Sequence, residues 1–198
     1  MKTTPQYLLE NLKKYPNEAA LSIKDLNGKW VTDTWTDVYK SVIKISKALV
    51  ACGIKKNDKI SIYSYNRKEW NQCYAAAQFV NGVAVGVYHT CSSSEVEWIV
   101  GNSDSKIVFL GNNPNDNDEL EKMPNHRLLA ILDQLEKVEF VVTMEGVEKL
   151  DHDKIISWDE FILKGQHVKE NEVLDLCSNI DLEDTSSLIY TSGTTGNP

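Results

Sequence analysis

Short apolar runs alternate along the chain with segments whose apolar residues recur at helical spacing. The runs predict buried β-strands, because a strand covered on both faces has few polar breaks. They lie at residues 59–64, 83–88, 107–110, 140–144 and 187–191, with a short edge strand at 154–157. Helices are predicted between them at 66–80, 94–100, 127–135, 158–164 and 170–177. This alternation is typical of parallel βαβ units, so we expect an α/β fold with a doubly wound, mainly parallel sheet and flanking helices.

The N-terminal residues show a different pattern. A short helix is predicted after Thr4, which can cap it, with Pro5 in its first turn. Strands at 19–23 and 30–34 flank an Asn-Gly pair at 27–28, which tolerates the positive φ of a hairpin turn. The sequence therefore predicts a helix followed by a β-hairpin.

A longer helix is predicted after Thr36 as its cap. Its apolar side chains recur on one face, at Val38, Val42, Ile45 and Leu49. Polar pairs three residues apart predict two later helix starts, Asn66 with Glu69 and Ser94 with Glu97. We expect one α/β unit, with a helix, hairpin and helix over 1–58, a β-α layer over 59–180, and a last strand and loop over 181–198.

Composition excludes several classes of protein. The chain has 198 residues, of which 41% are hydrophobic and 25% charged, so it is not mainly disordered. Its net charge of −8 disfavours a nucleic-acid partner, which needs a basic surface. Four cysteines without a CxxC pair indicate a reducing compartment and no metal site, and three of them are predicted to pack as small apolar side chains.

The sequence shows no signal-peptide core and no run of membrane-spanning length. We therefore expect a cytoplasmic protein. Peripheral membrane association would have to come from regions outside this sequence.

The last predicted strand leads directly into hydroxyl residues and glycines. Loops that leave the carboxyl ends of parallel strands are where α/β proteins bind ligands. Glycine lets backbone N–H groups approach phosphate oxygens, and Ser and Thr add neutral donors. The residues that suit a polyphosphate are Thr191, Ser192, Gly193, Thr194, Thr195 and Gly196. Tyr190, just before them, is expected to end the strand and pack.

The spacing of this run separates it from two common phosphate loops. Gly193 and Gly196 are three residues apart, without the Gly-Lys-Ser/Thr of a Walker loop or the third glycine of a dinucleotide fingerprint. On composition alone, a mobile loop without a ligand fits equally well. Because Asp181, Glu183 and Asp184 precede the run, a bound anion would need backbone groups, a metal or residues outside this chain.

Two other side chains have competing interpretations. His89 follows the predicted strand at 83–88, at the end where ligands bind, but a loop histidine satisfied by the backbone is the more ordinary interpretation. Trp98 is predicted to anchor the core from its short helix.

Residues 190–198, Tyr-Thr-Ser-Gly-Thr-Thr-Gly-Asn-Pro, resemble the phosphate-loop signature of the adenylate-forming enzymes. This superfamily includes acyl-CoA synthetases, peptide-synthetase adenylation domains and firefly luciferase, and in it the run continues into Lys-Gly. The lead-in at 184–189 also fits. The stretches 70–77, 82–90, 94–99 and 105–109 are similar, in layout more than in detail, to the long-chain and very-long-chain fatty acyl-CoA synthetases.

The resemblance implies a fatty acid–CoA ligase. Such an enzyme uses ATP to convert a carboxylate into an acyl-adenylate and then forms a thioester with CoA, with Mg²⁺ on the phosphates. Carried over by position, residues 191–196 would contact the ATP phosphates, and the Thr191 hydroxyl would be a Mg²⁺ ligand. The implied substrates are a fatty acid, ATP and CoA.

The same resemblance implies that residues 1–198 are the N-terminal portion of an AMP-binding domain, ending inside the signature. No catalytic residue is expected within it, and this portion alone is expected to fold but not to complete adenylation. Two alternatives stay open: an adenylate-forming ligase for an aryl or amino acid, and a non-catalytic α/β remnant. The oligomeric state is not determined by the sequence.

Overall fold

The computed structural model of the protein describes residues 1–25, 27–112, 122–144, 147 and 149–191. The N-terminal part begins with helix α1 (Thr4–Lys14), the hairpin strands β1 (Ala19–Lys24) and β2 (Trp30–Thr34), and helix α2 (Trp35–Ala51). The hairpin is antiparallel, and Gly28 in its turn has φ +76°. A positive φ is the conformation that glycine adopts without strain. The predicted helix, hairpin and helix are therefore confirmed.

The rest of the described chain alternates strands and helices. The strands are β3 (Lys59–Ser64), β4 (Val83–Val87), β5 (Ser105–Gly111), β6 (Phe140–Thr143), β7 (Ile155–Ser157) and β8 (Ser187–Leu188). The helices are α3 (Lys68–Phe79), α4 (Ser93–Asn102), α5 (Pro124–Leu129), α6 (Trp158–Lys164) and α7 (Glu170–Ser178). The six strands form one parallel sheet in the order β7-β6-β5-β3-β4-β8.

Helices cover both faces of this sheet. Ile60 and Phe109 face a core formed with α2, α3, α6 and α7, whereas Tyr63 and Val108 face a second core formed with α4 and α5. Successive residues of a strand point to opposite faces, which explains why the strands are apolar almost throughout. The doubly wound α/β arrangement is confirmed.

Three helix caps lie one or two residues before the predicted ones. They are Thr3, Thr34 and Ser92, where the sequence predicts Thr4, Thr36 and Ser94. At α2, the backbone N–H of Asp37 donates to Thr34 Oγ1 at 3.2 Å, and Thr34 N donates to Asp37 Oδ2 at 3.0 Å. Each observed cap has an extended backbone, whereas each predicted cap lies inside its helix, where its side chain cannot serve as the N-cap.

The predicted cap of α3 was also wrong. This helix starts after Arg67, which makes no capping hydrogen bond, rather than after Asn66. The Arg67 Nε atom donates to Glu69 Oε2 at 2.7 Å. Glu69 therefore pairs with a guanidinium instead of completing a capping box.

The cysteines are free thiols. Cys73 and Cys177 are buried, and Cys52 packs against the core. Burial raises the pKa of every thiol, to about 11 for Cys52 and Cys177. Because the thiolate is the nucleophile, these are packing residues rather than reactive ones.

Trp98 differs from its prediction. Its side chain is 42% exposed, so it does not anchor the core. The apolar face of α4 is instead made by Val96, Ile99 and Val100, which are buried. In the part of the chain that the structure describes, no helix is long and apolar enough to cross a membrane.

Candidate functional site

Strand β8 carries the chain to the carboxyl edge of the sheet. It pairs with β4 through Ala84↔Ser187 and Val85↔Leu188, and the N–H of Ala84 donates to the carbonyl of Ser186 at 3.1 Å. The predicted strand at 187–191 is therefore too long. Pairing stops at Leu188, and Ile189 is 79% exposed. Within the described residues, β8 lies at the edge of the sheet with β4 as its partner.

Tyr190 fixes the direction in which the chain leaves β8. Its hydroxyl donates to Asn102 Oδ1 at 2.7 Å, at the last residue of α4, and its ring packs against the core beneath α4. Burial, with a smaller effect of the Asp104 carboxylate, raises the pKa of Tyr190, so the phenol stays a donor. The prediction that Tyr190 packs is confirmed, whereas the prediction that it ends the strand was wrong, because β8 ends at Leu188.

The structure describes only the first of the predicted phosphate contacts. Thr191 follows Tyr190 at the carboxyl edge, and it is exposed. Ser192, Gly193, Thr194, Thr195 and Gly196 lie outside the described residues. The structure therefore shows where the run begins, and the role of its members stays a prediction.

The loop after β4 borders the same edge. Strand β4 is the neighbour of β8, so residues 88–92 leave the sheet beside Thr191. In this loop, Tyr88 is 70% exposed, and His89 is half-buried. The sequence identified His89 as a candidate by its position after a strand. Tyr88 was instead predicted to be the last residue of the strand at 83–88.

The acidic stretch before β8 lies at the opposite edge. Asp184 accepts from Asn81 Nδ2 at 3.1 Å, just before β4 begins, and its Oδ1 lies 2.6 Å from Lys56 Nζ. It also accepts from the backbone N–H of Asp181 at 2.9 Å. The Lys56 ammonium, followed by these N–H donors, holds the pKa of Asp184 at about 2. Since β8 and β4 are parallel, this carboxylate is separated from Thr191 by the strand itself.

This pairing predicts a pH-dependent effect of Asp184→Asn. The pKa is below that of an unfolded aspartate, near 3.9, so the stabilisation is complete above that value and is lost as pH falls through about 2. We expect Asp184→Asn to lower the free energy of unfolding by a constant amount above about pH 5. The difference from the parent should narrow between about pH 4 and pH 2, as measured by urea titration. The control is Asp153→Asn, at an exposed position, and an equal effect of both variants would contradict the assignment.

A divalent metal would need few ligands from the described part of the protein. In that part there is no group of three or more His, Cys, Asp or Glu side chains that could hold a metal. Mg²⁺ that is bound to nucleotide phosphates takes only one or two protein ligands and keeps several waters. The exposed Thr191, three residues after the end of β8, fits that limited role.

Residues 8–198 match the family described as AMP-binding enzyme. The chain belongs to this family. Long chain acyl-CoA synthetase 5 of Arabidopsis thaliana is 30% identical to it, over 94% of this chain and 28% of the relative. Long-chain-fatty-acid--CoA ligase ACSBG2 of Xenopus laevis is 26% identical, over 99% of this chain and 25% of the relative.

The AMP-binding enzyme chain thus spans about a quarter of the length of these curated relatives. The crystal structure of coronafacic acid ligase from Pectobacterium brasiliense covers 96% of this chain, with a TM-score of 0.76 and 17% identity. This chain covers 33% of that structure. The likeness confirms the fold, and the relatives confirm the resemblance to long-chain acyl-CoA synthetases.

Proposed function

We propose that this AMP-binding enzyme chain is part of a fatty acid–CoA ligase. The observation that carries the proposal is the signature at 190–198, which starts where β8 delivers Thr191 to the carboxyl edge of a parallel sheet. The named long-chain acyl-CoA synthetases among the relatives support a fatty acid as the substrate.

The reaction has two steps. A carboxylate oxygen attacks the α-phosphorus of ATP, the bond between the α-phosphorus and the bridging oxygen breaks, and pyrophosphate leaves with the electron pair. The thiol of CoA then loses its proton and attacks the acyl carbonyl carbon, and AMP leaves with the electrons of the acyl–oxygen bond. Both steps depend on holding the reactants in line and on stabilising the charge that develops.

The residues of this chain would act on the phosphates. Backbone N–H groups and hydroxyls of 191–196 would hold and orient them, and Thr191 would bind the metal. Mg²⁺, when bound, supplies neutralisation of phosphate charge. The position of Asp184 at the other edge supports this assignment, because its carboxylate is paired with Lys56 and does not compete for the anion site.

Carboxylate-dependent exchange of labelled pyrophosphate into ATP tests the proposal. We would assay the 198-residue chain and the product of the longest native reading frame that contains it, with fatty acids of graded length and with aryl and amino acids. We expect the longer product to show exchange that is greatest with a long-chain fatty acid, and the 198-residue chain to show none. Exchange with aryl or amino acids alone would mean that the substrate is one of these acids and not a fatty acid. No exchange with any acid would reject the ligase.

Two threonine variants of the longer product test whether the loop takes part in the exchange reaction. Thr191→Val removes the proposed ligand, whereas Thr185→Val changes an exposed threonine before β8. A hydrogen bond to a charged group contributes about 1.5–3 kcal/mol, so we expect Thr191→Val to reduce exchange by about 10- to 100-fold. Thr185→Val should stay within about twofold of the parent. Equal rates for the two variants would remove Thr191 from the site.

A further inference from the structure

Arg127 joins helix α5 to the loop after β4. Its Nη1 atom donates to the carbonyl of Cys91 at 2.8 Å and to the carbonyl of His89 at 3.4 Å. The Tyr63 hydroxyl, from the end of β3, donates to the same Cys91 carbonyl at 3.1 Å. One loop carbonyl therefore receives two side-chain donors from separate elements.

Both donors are constrained by their surroundings. Tyr63 is fully buried, and burial raises its pKa to about 12, so it remains a donor. Arg127 is half-buried, and its guanidinium donates to two carbonyls of the loop, those of His89 and Cys91. Its hydrogen bonds thus go to the loop, and hydrogen bonds from a guanidinium are about twice as strong as neutral ones.

The loop held in this way has a defined shape. The N–H of Cys91 donates to the carbonyl of Tyr88 at 3.0 Å, which closes a turn, and Ser92 begins the capping box of α4. The turn leaves the Tyr88 side chain exposed beside the exit of β8. The two donors therefore fix the backbone of a segment that borders the candidate phosphate site.

We propose that Arg127 is a positioning residue for nucleotide binding: it fixes residues 88–92 at the edge where Thr191 leaves the sheet. The inference rests on the proposed function, since the nucleotide is the ligand expected there. Neither the charge pattern nor any motif identifies Arg127, because its role depends on acceptors that are distant in sequence.

The test compares Arg127→Met and Arg127→Lys in the product of the native reading frame. We expect Arg127→Met to raise the KM for ATP in pyrophosphate exchange by about tenfold and to leave kcat within about twofold of the parent. A tenfold rise in KM corresponds to the loss of one charged hydrogen bond. Arg127→Lys keeps a cationic donor and should recover at least half of that loss on a logarithmic scale. Tyr63→Phe removes the second donor without changing charge and should raise the KM in the same direction by a smaller factor.

Lys106→Met is the matched control. The Lys106 ammonium lies 2.9 Å from Asp58 Oδ2, at the amino edge of the sheet, so its loss should leave the KM for ATP unchanged. A rise in KM for Arg127→Met no greater than for Lys106→Met would overturn the proposal. So would a loss of active enzyme without a change in KM.

Amide hydrogen exchange separates this proposal from the ligase itself. In the 198-residue chain, Arg127→Met should increase deuterium uptake in residues 88–92 relative to the parent and to Lys106→Met. Unchanged uptake would overturn the positioning role whether or not the longer protein is active. Increased uptake in the 198-residue chain, together with no pyrophosphate exchange by the longer product, would support fixation of the loop while rejecting the ligase.

Discussion

Replacing Phe161 by alanine is expected to lower the free energy of unfolding by about 3–5 kcal/mol. Phe161 is fully buried where α6 packs on the sheet. Its ring centroid lies 5.3 Å from that of Phe109, with the ring planes at 82°, and 6.2 Å from the ring of Trp158. The large effect follows because the change removes a whole ring from a close-packed interior and leaves a cavity that the strand residue cannot move to fill.

Leu163→Ala provides the control on the same helix. Leu163 is 59% exposed, so its truncation should cost less than about 1 kcal/mol. Chemical denaturation of both variants measures the difference. A similar loss for the two would mean that α6 is not docked on β5 through Phe161.

Gly165→Ala is expected to destabilise the protein by about 3 kcal/mol, at the upper end of the range for overpacking. An added Cβ would lie 2.5 Å from the backbone N of Ala48 and 2.7 Å from the carbonyl carbon of Lys47. Both atoms belong to the backbone of α2, which cannot yield as the end of a flexible side chain could. The glycine is required by this close approach, since no side chain fits between the two segments.

Gly101→Ala is the matched variant with the opposite expectation. At Gly101, in α4, the added Cβ would meet only Leu135 Cδ2 at 3.8 Å, an ordinary contact. Alanine is favoured over glycine within a helix by up to about 1 kcal/mol, so this change should be neutral or stabilising. In thermal unfolding, the midpoint temperature should fall for Gly165→Ala and should rise or stay unchanged for Gly101→Ala. A neutral Gly165→Ala would show that α2 and the segment after α6 are not in contact.

The candidate site was only partly predictable. The run at 191–196 is recognisable because its residue types and spacing carry the chemistry locally. The placement of Asp184 was not predictable, because it depends on β8 pairing beside β4, a neighbour about one hundred residues earlier. Arg127 shares that property, since its acceptors His89 and Cys91 lie on another loop.

Local patterns determined the elements of this protein. Apolar runs identified the buried strands, and the helical stripe from Val38 to Leu49 identified the face of α2 that packs on the core. The alternation of strands and helices determined the fold class. These features depend on neighbouring residues, so the amino-acid sequence by itself contains the information.

Tertiary structure decided the features that depend on a partner. The order of strands, the two-residue length of β8 and the exposure of Trp98 all required the packed sheet. Each is settled by hydrogen bonds or burial against segments far away in the chain, whose geometry no local pattern specifies. The sequence by itself thus determined the helices, the strands and the fold class, and the tertiary structure decided which side chains meet at the edges of the sheet.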